Sequence, residues 1–235
     1  MKGSKYAILK LVESSDFLAI INDLLKPTKT SITTYDNWMP KSIHYDKEAE
    51  LNDFLNYNFS PELANEITNW WLFKDATTPN WDLISTCTIK GKRGIVLVEA
   101  KAHFDELKND SKKAPNSSLN SEKNHVNIAL AIEKANVGIN KDNNNVQLSR
   151  DTCYQLSNRI AHAWWLADKG IPVVLMYLGF DDCVDMDNGK NKLFKKDEDW
   201  QNCFTEHAKI IGADVLIDKT VNCGESTFVM ICRSC

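Results

Sequence analysis

Hydrophobic and polar positions along the chain change period several times, and each change marks an element. Residues 95–98, Ile-Val-Leu-Val, form an apolar block bracketed by Gly91 and Gly94 upstream and by polar residues downstream. Four consecutive apolar residues with β-branched members predict a strand covered on both faces. Side chains alternate along a strand, so Glu99 and Lys101 share one face and Ala100 takes the other. Residues 82–89 predict a partner strand, joined through a turn at 90–94 whose two glycines suit positive φ. Residues 171–180 are almost wholly apolar and predict a central strand. Between these lies the clearest helix, 150–169, where Leu156, Ile160, Ala163, Trp164 and Ala167 form a stripe that Gly170 ends.

The rest of the chain reads less sharply. Residues 7–25 are mainly helical in pattern, with Pro27 as the stop, and 27–45 form an irregular connection. Residues 46–57 have a helical pattern. Ser60-Pro61-Glu62 is a helix start, with a capping hydroxyl, a proline in the first turn and an acid near the positive end. This helix carries Glu62, Glu66 and Trp70 on one side, and Pro79-Asn80-Trp81 breaks it. A mobile loop is expected over 105–124, a helix over 125–136, and polar connections over 140–145 and 181–199. A helix at 200–211, a short strand at 215–217 and a closing strand at 227–232 complete the reading. No internal repeat or long linker divides the chain. The expectation is one α/β domain over residues 1–235, with a helical addition at 1–58 and a core at 59–235.

Composition narrows the classes. With 235 residues, 43% of them apolar and 26% charged, the chain can bury a sizeable core. No apolar run approaches the ~18 residues of a membrane helix, and no signal-peptide core follows the first residues. An odd seven cysteines favour reduced thiols, so a cytoplasmic protein without membrane contact is expected. A net charge of -4 excludes polyanion binding by bulk charge. A nucleic-acid contact would need a local basic patch, for which residues 108–113 with Lys90, Lys92 and Arg93 are candidates; a solvated loop is the plainer reading. A Glu and a Lys at the end of a buried strand are costly unless compensated, and a divalent metal with a phosphate would compensate them.

The order of helix, strand with Asp82, hairpin, strand with Glu99-x-Lys101, helix and strand resembles the PD-(D/E)XK nuclease superfamily. Pro79 and Asp82 match its first motif with looser spacing, and Glu99-x-Lys101 matches the second. The helix with Gln155 and Arg159 resembles the one that follows in that family. The likeness covers roughly residues 60–180. It implies an α/β fold with a restriction-endonuclease-like core, a central mixed sheet flanked by helices, and hydrolysis of phosphodiester bonds in DNA with Mg²⁺ or Mn²⁺. A homodimer is a common arrangement for double-strand cutting by this fold. By resemblance, Asp82, Glu99 and the Ala100 carbonyl hold the ion. Lys101 orients the attacking water and stabilises charge on the phosphate. Glu66 is the extra acid from the first helix, with Glu62 as its alternative. Gln155 and Arg159, at i and i+4, grip a phosphate or steady a metal-bound water, and Lys92 and Arg93 bind substrate.

Each assignment has a structural rival. Glu99 and Lys101 can be a salt-bridged strand end, Glu66 a solvated helix face, and Gln155 and Arg159 structural hydrogen-bonders. His103 reads as a loop histidine beside the site. Trp70-Trp71 and Trp164-Trp165 can stack on bases but fit the core better. Cys232-x-x-Cys235, with Cys203, His207 and Cys223, leaves zinc open against a strand that ends in thiols. The functional rival is a non-catalytic nucleic-acid- or protein-binding module that keeps the nuclease fold.

Overall fold

The structure, a computed structural model, describes residues 2–235 except 75, 143, 187, 188 and 190. The expected connections at 140–145 and 181–199 therefore fall partly outside the described residues. In chain order the elements are α1 (Gly3–Glu13), α2 (Phe17–Leu25), β1 (Thr30–Ser31), β2 (Trp38–Met39), β3 (Ala49–Glu50), α3 (Leu51–Asn58), α4 (Pro61–Trp71) and β4 (Asn80–Trp81). Then follow β5 (Leu83–Ile89), β6 (Lys92–Lys101), α5 (Leu119–Ile139), α6 (Tyr154–Asp168), β7 (Val173–Gly179), α7 (Asp197–Lys209), β8 (Thr220–Cys223) and β9 (Ser226–Ser234). The class is mixed α/β. No helix among the described residues is long and apolar enough to cross a membrane.

The main sheet has the order β1-β5-β6-β7-β9-β8, with β2 also paired to β5. β5 and β6 form an antiparallel hairpin; β6, β7 and β9 run parallel, and β8 returns antiparallel. Parallel neighbours require crossovers, and α5 with α6 supplies the one from β6 to β7. The strand alternation then sorts the core. Ile95 and Leu97 of β6 pack with α4, α5, α6 and α7 on one face, while Val96 and Val98 pack with α1 and α2 on the other. Glu99 and Lys101 follow the odd-numbered parity and so point toward α6.

Several expected elements are revised. Residues 7–25 hold two helices, because the Ser14-Ser15-Asp16 turn interrupts the first, and Pro27 lies in a 3-10 turn that follows. The first 58 residues are more than a helical addition: α1 and α2 cover one whole sheet face, and β1 and β2 extend the sheet at β5. The helix expected at 46–57 starts only at Leu51, after β3. α5 begins at Leu119 inside the expected loop, with the Ser118 hydroxyl accepting from the Ser121 N–H. Residues 213–216 form a 3-10 turn instead of a strand, and β8 was not anticipated. The Ser60 cap and the Gly170 stop are as read: Ser60 accepts from the Leu63 N–H, and Gly170 has φ 87°.

Gly179 ends β7 directly opposite Lys101, and the Trp200 ring closes over it. A Cβ at Gly179 would meet that ring at 2.5 Å. Gly179→Ala should therefore cost about 1–3 kcal/mol of stability through overpacking. Thermal unfolding should show a fall of about 2–4 °C for each kcal/mol lost; an unchanged midpoint would mean that the Trp200 wall yields.

Candidate active site

The site forms where β5 parts from β6. The antiparallel ladder runs from Ile89↔Lys92 to Leu83↔Val98 and stops, because Asp82 bends the chain away into β4. Even-numbered residues of β6 face β5 with their backbone groups, since Ile95 donates to the Pro172 carbonyl and Lys101 accepts from Phe180 on the β7 side. The divergence thus leaves Ala100 without a partner on β5. The Asp82 carboxylate takes the vacated position and accepts from the Ala100 N–H at 2.7 Å. The Ala100 carbonyl lies on the same side of β6 as that N–H.

Glu99 sits between two cations. Lys101 donates to its Oε1 at 2.6 Å and Arg159 Nε to its Oε2 at 2.7 Å. Arg159 is held in turn by the Asn80 carbonyl at 2.7 Å, and its guanidinium lies 4.3 Å from the Trp81 ring centroid. β4 therefore clamps the arginine that clamps β6. Glu99, Lys101 and Arg159 are all buried, so these are low-dielectric ion pairs and breaking one strands a charge.

Burial alone would raise the Glu99 carboxyl, but Arg159 and Lys101 outweigh it and hold the group below its ordinary value. Burial likewise opposes the charged form of Lys101, and the carboxylates of Glu99 and Asp82 reverse the effect and raise it. Asp82 behaves oppositely to Glu99. Burial first, and the Glu99 charge second, push its carboxyl up to about 7, because neither cation contacts it directly. Two carboxylates with separated affinities for a proton commonly mark a working site.

These groups open on a cleft of about 1240 Å³ lined by Asp82, Glu99, Gln155 and Arg159. Its far wall comes from the segment before α5 and the first turns of that helix, including Lys112, Lys113, Ser121 and His125. Tyr154 and Asn158 join Gln155 and Arg159 on the α6 side. The Asn158 Oδ1 is buried without a partner among the described residues. Lys112 lies 5.3 Å from the Tyr154 ring centroid, and Arg150 stands behind His125, donating to its carbonyl.

No family model, curated protein or solved structure matches this chain. What the site can do is read from its own donors. Among the described residues no group of three or more His, Cys, Asp or Glu side chains could hold a metal. The oxygen donors at the fork are the Asp82 and Glu99 carboxylates and the Ala100 carbonyl, a hard set.

The sequence-derived residues divide into those brought together and those kept apart. Asp82, Glu99, Ala100, Lys101, Gln155 and Arg159 converge. Glu66 does not: it is paired with Lys169 at 2.5 Å on the surface, beyond the end of α6 and about 15 Å along that axis from Arg159. Glu62, the alternative, is exposed, and the backbone N–H at the helix start and Ser60 hold its carboxyl down. Lys92 and Arg93 sit at the opposite end of β6, roughly 20 Å or more from Glu99. Arg93 instead donates to the Asn58 carbonyl at 2.9 Å and lies over Phe59. The expected basic patch is thereby split, with Lys112 and Lys113 alone reaching the cleft.

His103 is buried and faces Glu106 at 3.3 Å, outside the cleft. The tryptophans are core: Trp70 stacks on Trp165, and Trp70, Trp71 and Trp81 surround His162, whose burial lowers its pKa to about 3. The cysteines do not gather into a zinc site among the described residues. Burial pushes Cys223 up to about 12 and Cys232 higher still, the reverse of what thiolate ligation needs. Asn80, Trp81 and Asn158 had no motif to announce them, whereas Lys112 belonged to the basic stretch 108–113; of the three, Asn158 alone carried a signal, standing one turn beyond Gln155 on the same helix face.

Arg159→Ala should destabilise the protein by about 3–5 kcal/mol in urea unfolding, because Glu99 is left buried beside a single cation. Its effect should exceed that of Glu66→Ala, whose surface pair is worth about 0–1 kcal/mol. Asp82 also sets a pH dependence. The folded carboxyl keeps its proton up to about pH 7, whereas its ordinary value is 3.8, so the folded state binds more protons across that window. Stability measured with a chelator present should fall as pH rises through it, and Asp82→Asn should flatten the fall. Glu99 acts the other way, adding stability above its ordinary 4.5 that is lost in stronger acid.

Proposed function

We propose that this chain is a metal-dependent nuclease of the restriction-endonuclease type, hydrolysing phosphodiester bonds of DNA. In this reading residues 1–235 form one domain. The β5–β6 hairpin, the α6 crossover and the parallel β7 are its core. The observation that carries it is the meeting of Asp82, Glu99 and Arg159 in the lining of a large cleft, with Lys101 bound to Glu99 and the Ala100 backbone bound to Asp82 directly behind them.

The donor set suits Mg²⁺ or Mn²⁺, which take one or two carboxylates and keep several waters. A further oxygen is needed for neither, so the displaced Glu66 is not missed. The uncompensated burial of Asp82 is also what a dication would relieve. Bound there, the ion would polarise a phosphoryl oxygen and lower the pKa of a water. The chain's own residues do the rest. The Ala100 N–H fixes the direction of the Asp82 carboxylate, and Arg159 fixes that of Glu99. Lys101 holds an ammonium beside the reacting position, where it can orient water and offset charge growing on phosphate oxygens. Lys112 and Lys113 on the facing wall offer contacts for the phosphate backbone.

One observation favours a second reading. Both Glu99 oxygens are already occupied, one by Lys101 and the other by Arg159. A non-catalytic nucleic-acid-binding module that uses this cluster only for stability would look the same in that respect.

Plasmid nicking separates the two. With Mg²⁺ the wild type should nick plasmid, while Lys101→Ala and Asp82→Ala should each lose at least ~10²-fold in rate. Calorimetry should register Mg²⁺ binding by the wild type and weaker binding by Asp82→Ala. Equal cutting by all three proteins would expose a contaminant, and no cutting or Mg²⁺ binding by the wild type would favour the binding module.

A further inference from the structure

The side of α5 turned away from the core carries an ordered pattern that the cleft does not use. Its buried positions, among them Ile128, Ala131, Ile132 and Ala135, face inward toward α4 and α6. The exposed positions of the helix are Leu119, Glu122, Lys123, Val126, Leu130, Glu133, Lys134 and Val137. Leu119, Val126, Leu130 and Val137 are 63%, 57%, 63% and 59% exposed. At about 100° per residue these four fall within ~20° of a single line along the helix, over about 27 Å. On the same projection Glu122 and Glu133 lie about 40–60° to one side and Lys123 and Lys134 about 40–60° to the other. An apolar ridge with one acidic and one basic flank is thus presented to solvent. None of Glu122, Glu133 and Lys134 forms an ion pair among the described residues, and Lys123 rests only on the exposed Phe73 ring at 4.5 Å.

We propose that this ridge is a self-association surface, on which α5 packs in parallel against α5 of a second copy about a two-fold axis along the helices. Symmetry chooses the partner and the direction. A parallel two-fold sets each ridge residue beside its own equivalent and lays the acidic flank of one copy along the basic flank of the other. Glu122 then meets Lys123 of its mate, and Glu133 meets Lys134. An antiparallel two-fold would instead set acid beside acid and base beside base. A single helix pair of this length buries an area at the low end of specific interfaces, so a weak dimer is expected. Because Ser121 and His125, near the start of α5, line the cleft, parallel pairing brings both clefts to the same end of the dimer. The surface does not depend on the nuclease reading.

The test is sedimentation of the full chain across ~1–300 μM at low and high salt, with far-UV spectra and unfolding midpoints as folding controls. The wild type should dimerise with concentration, and more weakly at high salt. Leu130→Glu should shift the midpoint upward at least tenfold. The double variant Glu122→Lys with Glu133→Lys, and the double variant Lys123→Glu with Lys134→Glu, should each stay monomeric and should associate when mixed. A wild type that is monomeric at every concentration overturns the proposal, as does a dimer indifferent to these substitutions. A dimer strengthened by salt overturns the parallel arrangement.

Discussion

The carboxylate of Glu99, gripped by Lys101 on one oxygen and by Arg159 on the other, is the contact that the site is built around. It joins the end of a central strand to the crossover helix where both charges are largely buried and screening by water is weak. A lone glutamate there would take up a proton, and a lone arginine would be excluded. Together they are tolerated, and the Asn80 carbonyl and Trp81 ring accommodate the rest of the guanidinium. Such a pair adds little net stability compared with apolar packing, but it fixes geometry tightly. Here the geometry fixed is that of two carboxylates in the wall of a cleft, with an ammonium bound behind one of them.

The second constraint is the separation of β5 from β6. A hairpin that stayed paired to its end would have buried the Ala100 backbone in a ladder and pointed Asp82 elsewhere. The bend at Asp82 exchanges one backbone hydrogen bond for a side-chain one and leaves an opening at the sheet. The opposite end of the same hairpin has no comparable device: Arg93 binds it to the end of α3 through the Asn58 carbonyl and the Phe59 ring. One strand thereby carries a structural end and a chemical end.

The sequence disclosed these features unevenly. The apolar run at 95–98 announced its strand, and alternation alone placed Glu99 and Lys101 on one face. Ser60 and Gly170 bounded their helices because capping is a local event. Contacts between distant segments were another matter. Nothing near Glu66 told of Lys169, 103 residues away. The polar first turns of α5 read as loop because burial begins only at Asn124, and two-residue strands such as β1 and β2 have no period to detect. The place of Lys92 could have been read: nine residues of extended strand put it about 30 Å from Lys101, too far to share its cleft.

The two-residue strands have an effect out of proportion to their length. β1 pairs with the turn end of β5 and β2 with its middle, while the Thr86 N–H donates to the Asn37 carbonyl between them. A seven-residue, largely buried strand would otherwise present a row of vacant amides to any passing extended chain. Clipped at intervals by its own N-terminal segment, it offers no continuous template, and at the far border β8 is only four residues long. The sheet is thus guarded against fibril-like growth, and contact with other macromolecules is left to helices and loops.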